Sequence, residues 1–541
     1  MITKTLILFL TLALSSTAVW AAKPNPKAPQ GGNYNFNLGG EPATLHPITS
    51  TDLYAQDIRR LFTCDDLLVR DYETYNWKPR LAEKWEVSKD NKIFTFHLRK
   101  NAVFHDGQPV TAEDVKFSFD AIFNPVYEAA HLRPYYEGIE KVEVIDPNTI
   151  KVTAKDSYFK NFESIAELTV IPKHVYGDAE KSKKLNKTLV CSGPYALEKF
   201  ERGQLLLLKR FDKWWGNDDP AWKGAYNFST VTLRFYDEEN VYLERAKKGD
   251  LDFLGLRIDT FMKKTQGDPW GKTLLKFKVE NSKPKGYAFV GWNLRKDLFQ
   301  DKNVRVALAH LMNREEMNKK FRYGLSDLAA GPIYLQSEYA PKGLKALGFD
   351  PKKAQQLLVK AGWQDSDKDG ILDKTVNGKK MDFKFTLIYA GKDNEKYYTL
   401  YKEDLKKAGI EMNIKYLEWN SFLKLVDEGN FDAVTMSWSG GSVDPDPKQV
   451  WHSSSAVVGG SNFINYKNPK VDKMIDEARV EPDRKKRVKL LQEVYRAIAE
   501  DAPYAFMFND KFSFYANQSR IGKPADTFKY DIGSDYWWLT K

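Results

Sequence analysis

The sequence predicts an α/β or mixed protein that is divided into several lobes. Strand-like and helix-like segments alternate along the chain, and neither internal repeats nor a low-complexity linker interrupts them. The chain has 541 residues, which at roughly 100 to 200 residues per domain is enough for two to four lobes. Each lobe is long enough to bury its own core, so one compact domain is not expected.

The composition is that of an ordinary globular protein. Hydrophobic residues make up 42% and charged residues 29% of the chain, with two cysteines, which excludes the disordered, collagen-like and disulfide-dense classes. The formal net charge is +10, but acidic and basic residues alternate, and the densest basic run, residues 484–487, is short. We therefore expect a solvated surface and no nucleic-acid partner.

The N-terminus has the pattern of a secretory signal peptide. Lys4 precedes an apolar run at residues 5–14, and small residues follow at 15–18. We predict that residues 1–21 are the signal peptide, cleaved near Ala21. No later run reaches the ~18 apolar residues of a membrane-spanning helix, and the first cysteine lies too far along to accept a lipid. We therefore expect an exported chain without a membrane anchor.

Several elements are predicted from periodicity. Residues 92–99 largely alternate apolar and polar side chains, which predicts a half-buried strand. Thr111 is the expected N-cap of a helix whose third position is Asp114. Apolar residues at helical spacing predict amphipathic helices around 304–311 and 488–498. Further strands, rich in β-branched and aromatic residues, are predicted at 149–153, 383–388 and 411–416.

The two cysteines, Cys64 and Cys191, belong to a chain predicted to be exported, where thiols tend to oxidise. Two cysteines allow a single intramolecular bridge, so we predict a disulfide between them. The alternative, two separately buried thiols, stays open because the sequence does not show whether their Cα atoms come within about 7 Å.

Motifs of catalysis are missing from the sequence. It contains no phosphate-binding loop, dinucleotide-binding glycine motif, nucleophile elbow, His-Glu-x-x-His or Cys-x-x-Cys. We therefore do not expect an enzyme. We also expect no cofactor, although whether calcium binds stays open.

That question concerns an Asp-rich stretch. Asp365, Asp367, Asp369 and Asp373 match carboxylate positions within the first nine residues of a calcium-binding loop. The twelfth position calls for a bidentate Glu, and Val376 stands there. Two interpretations therefore remain, a calcium site and an Asp-rich surface turn.

Ordered blocks over nearly the whole chain resemble family 5 of the extracellular solute-binding proteins, which are the peptide, oligopeptide and nickel receptors of ABC importers. Residues 81–90, 94–99 and 104–107 match its signature, which continues through 111–115. Further matches in the expected order lie at residues 192–195, 214–216, 293–308, 354–363 and 429–432.

The resemblance implies a fold. It implies a two-lobed periplasmic-binding-protein fold, class II-like, with a two-strand hinge and an extra domain inserted in lobe one. Lobe one would comprise residues 22–62, 190–291 and 505–541, the extra domain 63–189 and lobe two 292–504. The two cysteines then lie near the junction of lobe one and the extra domain, which supports the predicted bridge.

The resemblance also implies a function. The expected protein is a monomeric periplasmic receptor that captures peptides or a peptide-containing solute by hinge closure and delivers it to an ABC permease. Two segments are expected to pair with the ligand backbone as an added strand does. Their candidate residues are Thr51, Leu53 and Tyr54 in one segment, and Ser437, Trp438, Ser439, Gly440 and Gly441 in the other. A Gly/Ser-rich loop adds Asn462 and Phe463.

One departure from the family bears on the substrate. Many peptide-binding relatives place an Asp three residues after Trp438, where it holds the ligand's α-ammonium, and this chain has Gly441. An ammonium buried without an anion costs several kcal/mol. Asp444 or Asp446 is the candidate replacement, and a rigid turn bracketed by prolines is the other interpretation of these residues. A receptor for an oligosaccharide or a cell-wall fragment is therefore the alternative function.

Overall fold

The structure is a computed structural model that describes residues 24–376 and 378–540. The predicted signal peptide and its cleavage near Ala21 lie outside these residues. Three sheets of four or more strands organise the described part of the chain. No helix within it combines the length and the apolar character that crossing a bilayer requires.

The first sheet has seven strands and forms lobe one. Asn33–Asn37 lies at its centre, parallel to both of its neighbours. In spatial order the strands are Leu274–Val279, Ser513–Gln518, Phe253–Leu256, Asn33–Asn37, Thr230–Arg234, Leu205–Arg210 and Tyr195–Glu201.

The second sheet has six strands and forms lobe two. Side chains alternate along its strand Tyr287–Trp292: Phe289 enters the core on one face, whereas Val290 and Trp292 enter the core on the other. This sheet is therefore covered on both faces. In spatial order its strands are Ser326–Leu328, Tyr504–Asp510, Tyr287–Trp292, Ala433–Trp438, Lys384–Tyr389 and Glu411–Tyr416.

The third sheet, with four antiparallel strands, builds the extra domain. Its strand Ile93–Leu98 buries every second side chain, as predicted. The helix Ala112–Phe123 begins at the predicted capping box, in which Asp114 accepts hydrogen bonds from both the backbone and the hydroxyl of Thr111. In spatial order the strands are Ala82–Val87, Ile93–Leu98, Thr149–Ala154 and Ile139–Asp146.

Two short segments, 280–286 and 511–512, connect lobe one to lobe two. Before and after them the chain forms paired antiparallel strands in each sheet. This arrangement is the two-strand hinge. The two crossing points lie several residues from the predicted boundaries after Gly291 and Tyr504, and the boundaries stay predictions.

Three two-stranded sheets, sixteen α-helices and eight short 3₁₀ or π helices complete the described elements. The paired strands are Leu68–Arg70 with Trp77–Pro79, Asp373–Val376 with Lys379–Asp382, and Ile521–Gly522 with Trp538–Leu539. The helices are Leu53–Ile58, Ala112–Phe123, Arg133–Tyr136, Lys160–Ala166, Lys173–Tyr176, Ala179–Ser182, Glu239–Lys247, Asp297–Gln300, Lys302–His310, Arg314–Phe321, Pro351–Lys360, Glu395–Lys407, Trp419–Asp427, Lys448–Trp451, Pro469–Val480 and Arg484–Asp501.

The disulfide prediction is confirmed. Cys64 and Cys191 are bonded, both are buried, and their Cα atoms are 4.9 Å apart. The bond joins the two ends of the chain segment that forms the extra domain, so it closes this segment where it meets lobe one.

Candidate ligand-binding cleft

The predicted segment of lobe one leads into the helix Leu53–Ile58. Asp52 caps this helix by accepting a hydrogen bond from the Ala55 backbone at 2.7 Å. Leu53 is 72% exposed, and Thr51 is also exposed. The ring of Tyr54 lies so close to Gly40 that a side chain there would collide with it. Leu53 and Thr51 are therefore free to contact a ligand, while Tyr54 also packs on its own lobe.

The predicted segment of lobe two is the end of the strand Ala433–Trp438 and its continuation to Gly441. The Trp438 ring stacks with Phe289 and Phe463, at centroid distances of 6.4 and 6.0 Å. Ser437, Ser439 and Gly441 are exposed. The indole thus anchors the segment in lobe two and leaves alternate residues accessible.

The same segment packs against the hinge. A Cβ atom on Gly440 would lie 2.4 Å from the carbonyl oxygen of Pro284, and one on Gly286 would lie 2.2 Å from that of Trp438. Only glycine permits this approach of two backbones. The segment 437–441 therefore lies directly against the hinge segment 280–286.

The two candidates from the Gly/Ser-rich loop are buried. The Asn462 amide donates to the carbonyl oxygens of His452 and Tyr466, at 3.1 and 2.8 Å, and its oxygen accepts from the Tyr466 backbone. Phe463 is 5% exposed beneath Trp438. Through these contacts both side chains stabilise the loop from inside. Their direct contact with ligand stays a prediction.

Asp444 lies inside lobe two, 3% exposed. Its carboxylate accepts hydrogen bonds from the Tyr339 hydroxyl at 2.7 Å and from Arg484 Nε at 2.9 Å. Burial opposes ionisation, but Arg484 and Tyr339 hold the pKa of Asp444 below its usual range. The carboxylate predicted to take a ligand ammonium is thus already bound by protein donors.

Lobe two is in contact with both other parts of the molecule. Arg70 of the extra domain lies 3.7 Å from Asp444. The Tyr323 hydroxyl of lobe two donates to Asp259 of lobe one at 2.5 Å. The lobes therefore touch each other in this arrangement.

One contact with lobe two comes from a helix that no sequence motif marked. The helix Lys160–Ala166 belongs to the extra domain, and at its first residue the Lys160 ammonium donates to Ser442 Oγ of lobe two at 3.1 Å. Near its other end Glu167 lies exposed. No motif marked this helix, because its sequence is that of any short amphipathic helix.

The calcium candidates are only partly brought together. Single ligand atoms of Asp365, Asp367 and Asp373 lie within 4.8 Å of one another, whereas Asp369 accepts from a nearby backbone N–H instead. The ammonium of Lys380 contacts Asp367 and lies 3.9 Å from Asp373. Calcium binding stays a prediction at this hairpin.

The family model for bacterial extracellular solute-binding proteins, family 5 Middle, matches residues 76–460. The chain belongs to this family. The resemblance seen in the sequence is thereby confirmed, and so is the two-lobed fold. As a family 5 solute-binding protein it is a receptor, extracellular or periplasmic, and not an enzyme.

Two curated relatives of this family 5 protein extend over almost the whole chain. The oligopeptide-binding protein AppA of Bacillus subtilis (strain 168) is 30% identical over 540 residues, which cover 96% of this chain and 94% of the relative. The probable peptide-binding protein YejA of Agrobacterium fabrum is 25% identical over 573 residues, with coverages of 96% and 91%.

A solved structure gives the corresponding comparison in three dimensions. The structure of B. subtilis AppA in complex with a nonapeptide matches with a TM-score of 0.71 at 28% sequence identity, covering 95% of this chain and 100% of that one. The fold agreement therefore extends over both lobes and the extra domain.

Proposed function

We propose that this family 5 protein is a periplasmic receptor that captures peptides by hinge closure and delivers them to an ABC permease. The observation that carries the proposal is the free backbone of residues 439–441. Strand pairing in lobe two ends where Trp438 opposes Tyr287, and within the described residues the N–H groups of 439–441 donate no hydrogen bond. An accessible, unpaired backbone accepts another chain as an added strand.

The exposure pattern supports the same mode of binding. Ser437 and Ser439 are exposed while Trp438 and Gly440 are half-buried, so the alternation of a strand continues past the last ladder pair to Gly440. The chain then turns at Gly441, whose φ is 62°. A ligand paired here is held through its main chain, which suits peptides of mixed sequence. The names of AppA and YejA, which describe oligopeptide and peptide binding, support this choice.

Ligand binding favours closure because the ligand contacts both lobes. A ligand that touches segment 437–441 and the lobe-one segment near Leu53 makes both sets of contacts only when the lobes are closed. Its differential affinity for that state shifts the population toward closure. We propose that the permease recognises this closed form.

The decisive test removes one backbone donor. Ser439→Pro deletes the N–H of residue 439, and we expect affinity for a mixed peptide pool, measured by isothermal titration, to fall about tenfold, since one hydrogen bond contributes about 1 kcal/mol and the ring obstructs pairing. Ser439→Ala keeps the N–H and is the matched control, with affinity unchanged. Equal melting temperatures establish that both variants fold. Unchanged affinity of Ser439→Pro would contradict backbone pairing.

The relatives named above do not favour the alternative function, a receptor for an oligosaccharide or a cell-wall fragment. The same titration with an oligosaccharide pool tests it directly. We also propose that the receptor is a monomer, which light scattering after size exclusion measures. N-terminal sequencing of the exported protein checks the predicted cleavage near Ala21.

A further inference from the structure

The extra domain reaches across the cleft and holds lobe two at several points. The Tyr158 hydroxyl donates to Asp446 at 2.6 Å, and the Phe159 backbone N–H donates to the carbonyl oxygen of Arg479 at 3.0 Å. The Lys160 ammonium donates to Ser442, as described above. Arg70 adds an ion pair with Asp444.

Aromatic contacts reinforce this set. The guanidinium of Arg479 lies over the Tyr158 ring at 4.2 Å, and that of Arg487 lies over the Phe159 ring at the same distance. Phe159 is 9% exposed. The contacts are therefore partly shielded from water, where charged hydrogen bonds and cation–π contacts are stronger than on an open surface.

The charged groups on the extra-domain side keep a partner if the lobes separate. Arg70 is bound by Glu163 at 3.1 Å and stacks on Trp77 at 3.5 Å, all within the extra domain. Lys160 also pairs with Glu163. Opening therefore leaves neither cation unpaired, and Arg70 is already in position for closure.

The lobe-two side behaves in the same way. Asp444 keeps Tyr339 and Arg484, and Asp446 keeps the ion pair with Arg479 at 2.9 Å. Removing one partner of a buried charge pair is normally costly because the other is left uncompensated. Closure therefore adds contacts between the two sides. On opening, each of these charges keeps a partner on its own side.

We propose that the extra domain acts as a reversible clasp on the closed form, made by Arg70 and Tyr158 to Lys160 on one side and Ser442, Asp444, Asp446 and Arg479 on the other. Ser442 follows Gly441 directly, so a ligand bound at segment 437–441 positions the loop that the clasp grips. The clasp goes beyond the proposed function, since it sets the closing equilibrium whatever the ligand is.

Tyr158→Phe removes one clasp hydroxyl and keeps the ring. We expect a larger radius of gyration by small-angle X-ray scattering, and a fivefold to tenfold weaker affinity for the mixed peptide pool through faster dissociation. Tyr416→Phe is the matched control, because that hydroxyl donates to Glu418 at 2.7 Å within lobe two alone. It should match the wild type in both measurements.

A second variant, Lys160→Ala, tests another contact of the clasp and should shift both measurements in the same direction. Equal radii and equal dissociation rates for the wild type and both clasp variants would overturn the proposal. If no peptide binds, the proposed function fails, while the radii of the ligand-free proteins still decide on the clasp.

Discussion

Among single residues, His46 is one whose protonation the fold opposes. It is fully buried, and its Nδ1 accepts hydrogen bonds from the backbone N–H groups of Ile48 and Thr49, both at 3.2 Å. Burial, with a contribution from Arg59, lowers the pKa of His46 to about 4. A proton on Nδ1 would break both backbone contacts.

This arrangement predicts a loss of stability in acid. The unfolded chain, with a histidine pKa of about 6.5, takes up the proton first, so the free energy of unfolding should fall as the pH drops from about 6.5 to about 4 and show no further effect of His46 below that. Urea unfolding across this range measures the slope, which His46→Gln should reduce. An unchanged slope in His46→Gln would refute the assignment.

Asp444 gives a second prediction for a single side chain. Asp444→Asn removes the buried charge that accepts from Arg484 and Tyr339, while Arg484 keeps its contact with Glu338. We expect the ligand-free protein to lose about 2 kcal/mol of unfolding free energy, because hydrogen bonds to a charged group contribute about 1.5 to 3 kcal/mol. Asp476→Asn is the control, because Asp476 is 55% exposed and a surface pair contributes about 1 kcal/mol or less. Unchanged stability combined with lost peptide binding would instead assign Asp444 to the ligand.

At the scale of elements, the Asp-rich turn and the hairpin Asp373–Val376 with Lys379–Asp382 bear on calcium. The ammonium of Lys380 already contacts the carboxylates that a cation would use. We therefore expect millimolar calcium to leave the melting temperature unchanged. A rise that Asp367→Asn abolishes, with magnesium as the comparison ion, would establish a calcium site.

The elements that local sequence predicts well are those whose signals are local. The capping box at Thr111 and the alternation in Ile93–Leu98 depend on residues within a few positions of one another. The helix Lys160–Ala166, in contrast, has no distinctive local sequence signal. Its importance comes from contacts with Ser442, which is distant in the sequence, so no local pattern could predict it.

At the scale of the whole molecule, the Cys64–Cys191 bond closes a loop that contains the extra domain, with a sequence separation of 127. In the chain-entropy model a loop of this size contributes up to about 5 kcal/mol. We expect the Cys64→Ser/Cys191→Ser double variant to unfold at lower urea concentration. The single variants are controls that should behave as the double one does. A non-reduced digest with both thiols free would contradict the bond itself.

The sequence by itself determined the class of this protein. Its composition and the alternation of strands and helices predicted an α/β or mixed protein in several lobes. The resemblance of ordered blocks to family 5 implied a two-lobed solute-binding receptor with a hinge, and the family match confirmed it. These features can be read from the sequence because each depends only on neighbouring residues or on the order of motifs along the chain. They do not depend on which side chains finally meet.

Only the tertiary structure decided what the candidate residues touch. Asp444 was predicted as a partner for a ligand ammonium, yet folding surrounds it with Tyr339 and Arg484. Asn462 and Phe463 looked accessible in a Gly/Ser-rich loop, yet they support it from inside. The physical reason is that burial and charge pairing depend on segments that are separate in the sequence, such as those of Tyr339, Asp444 and Arg484, which the folding of lobe two brings together.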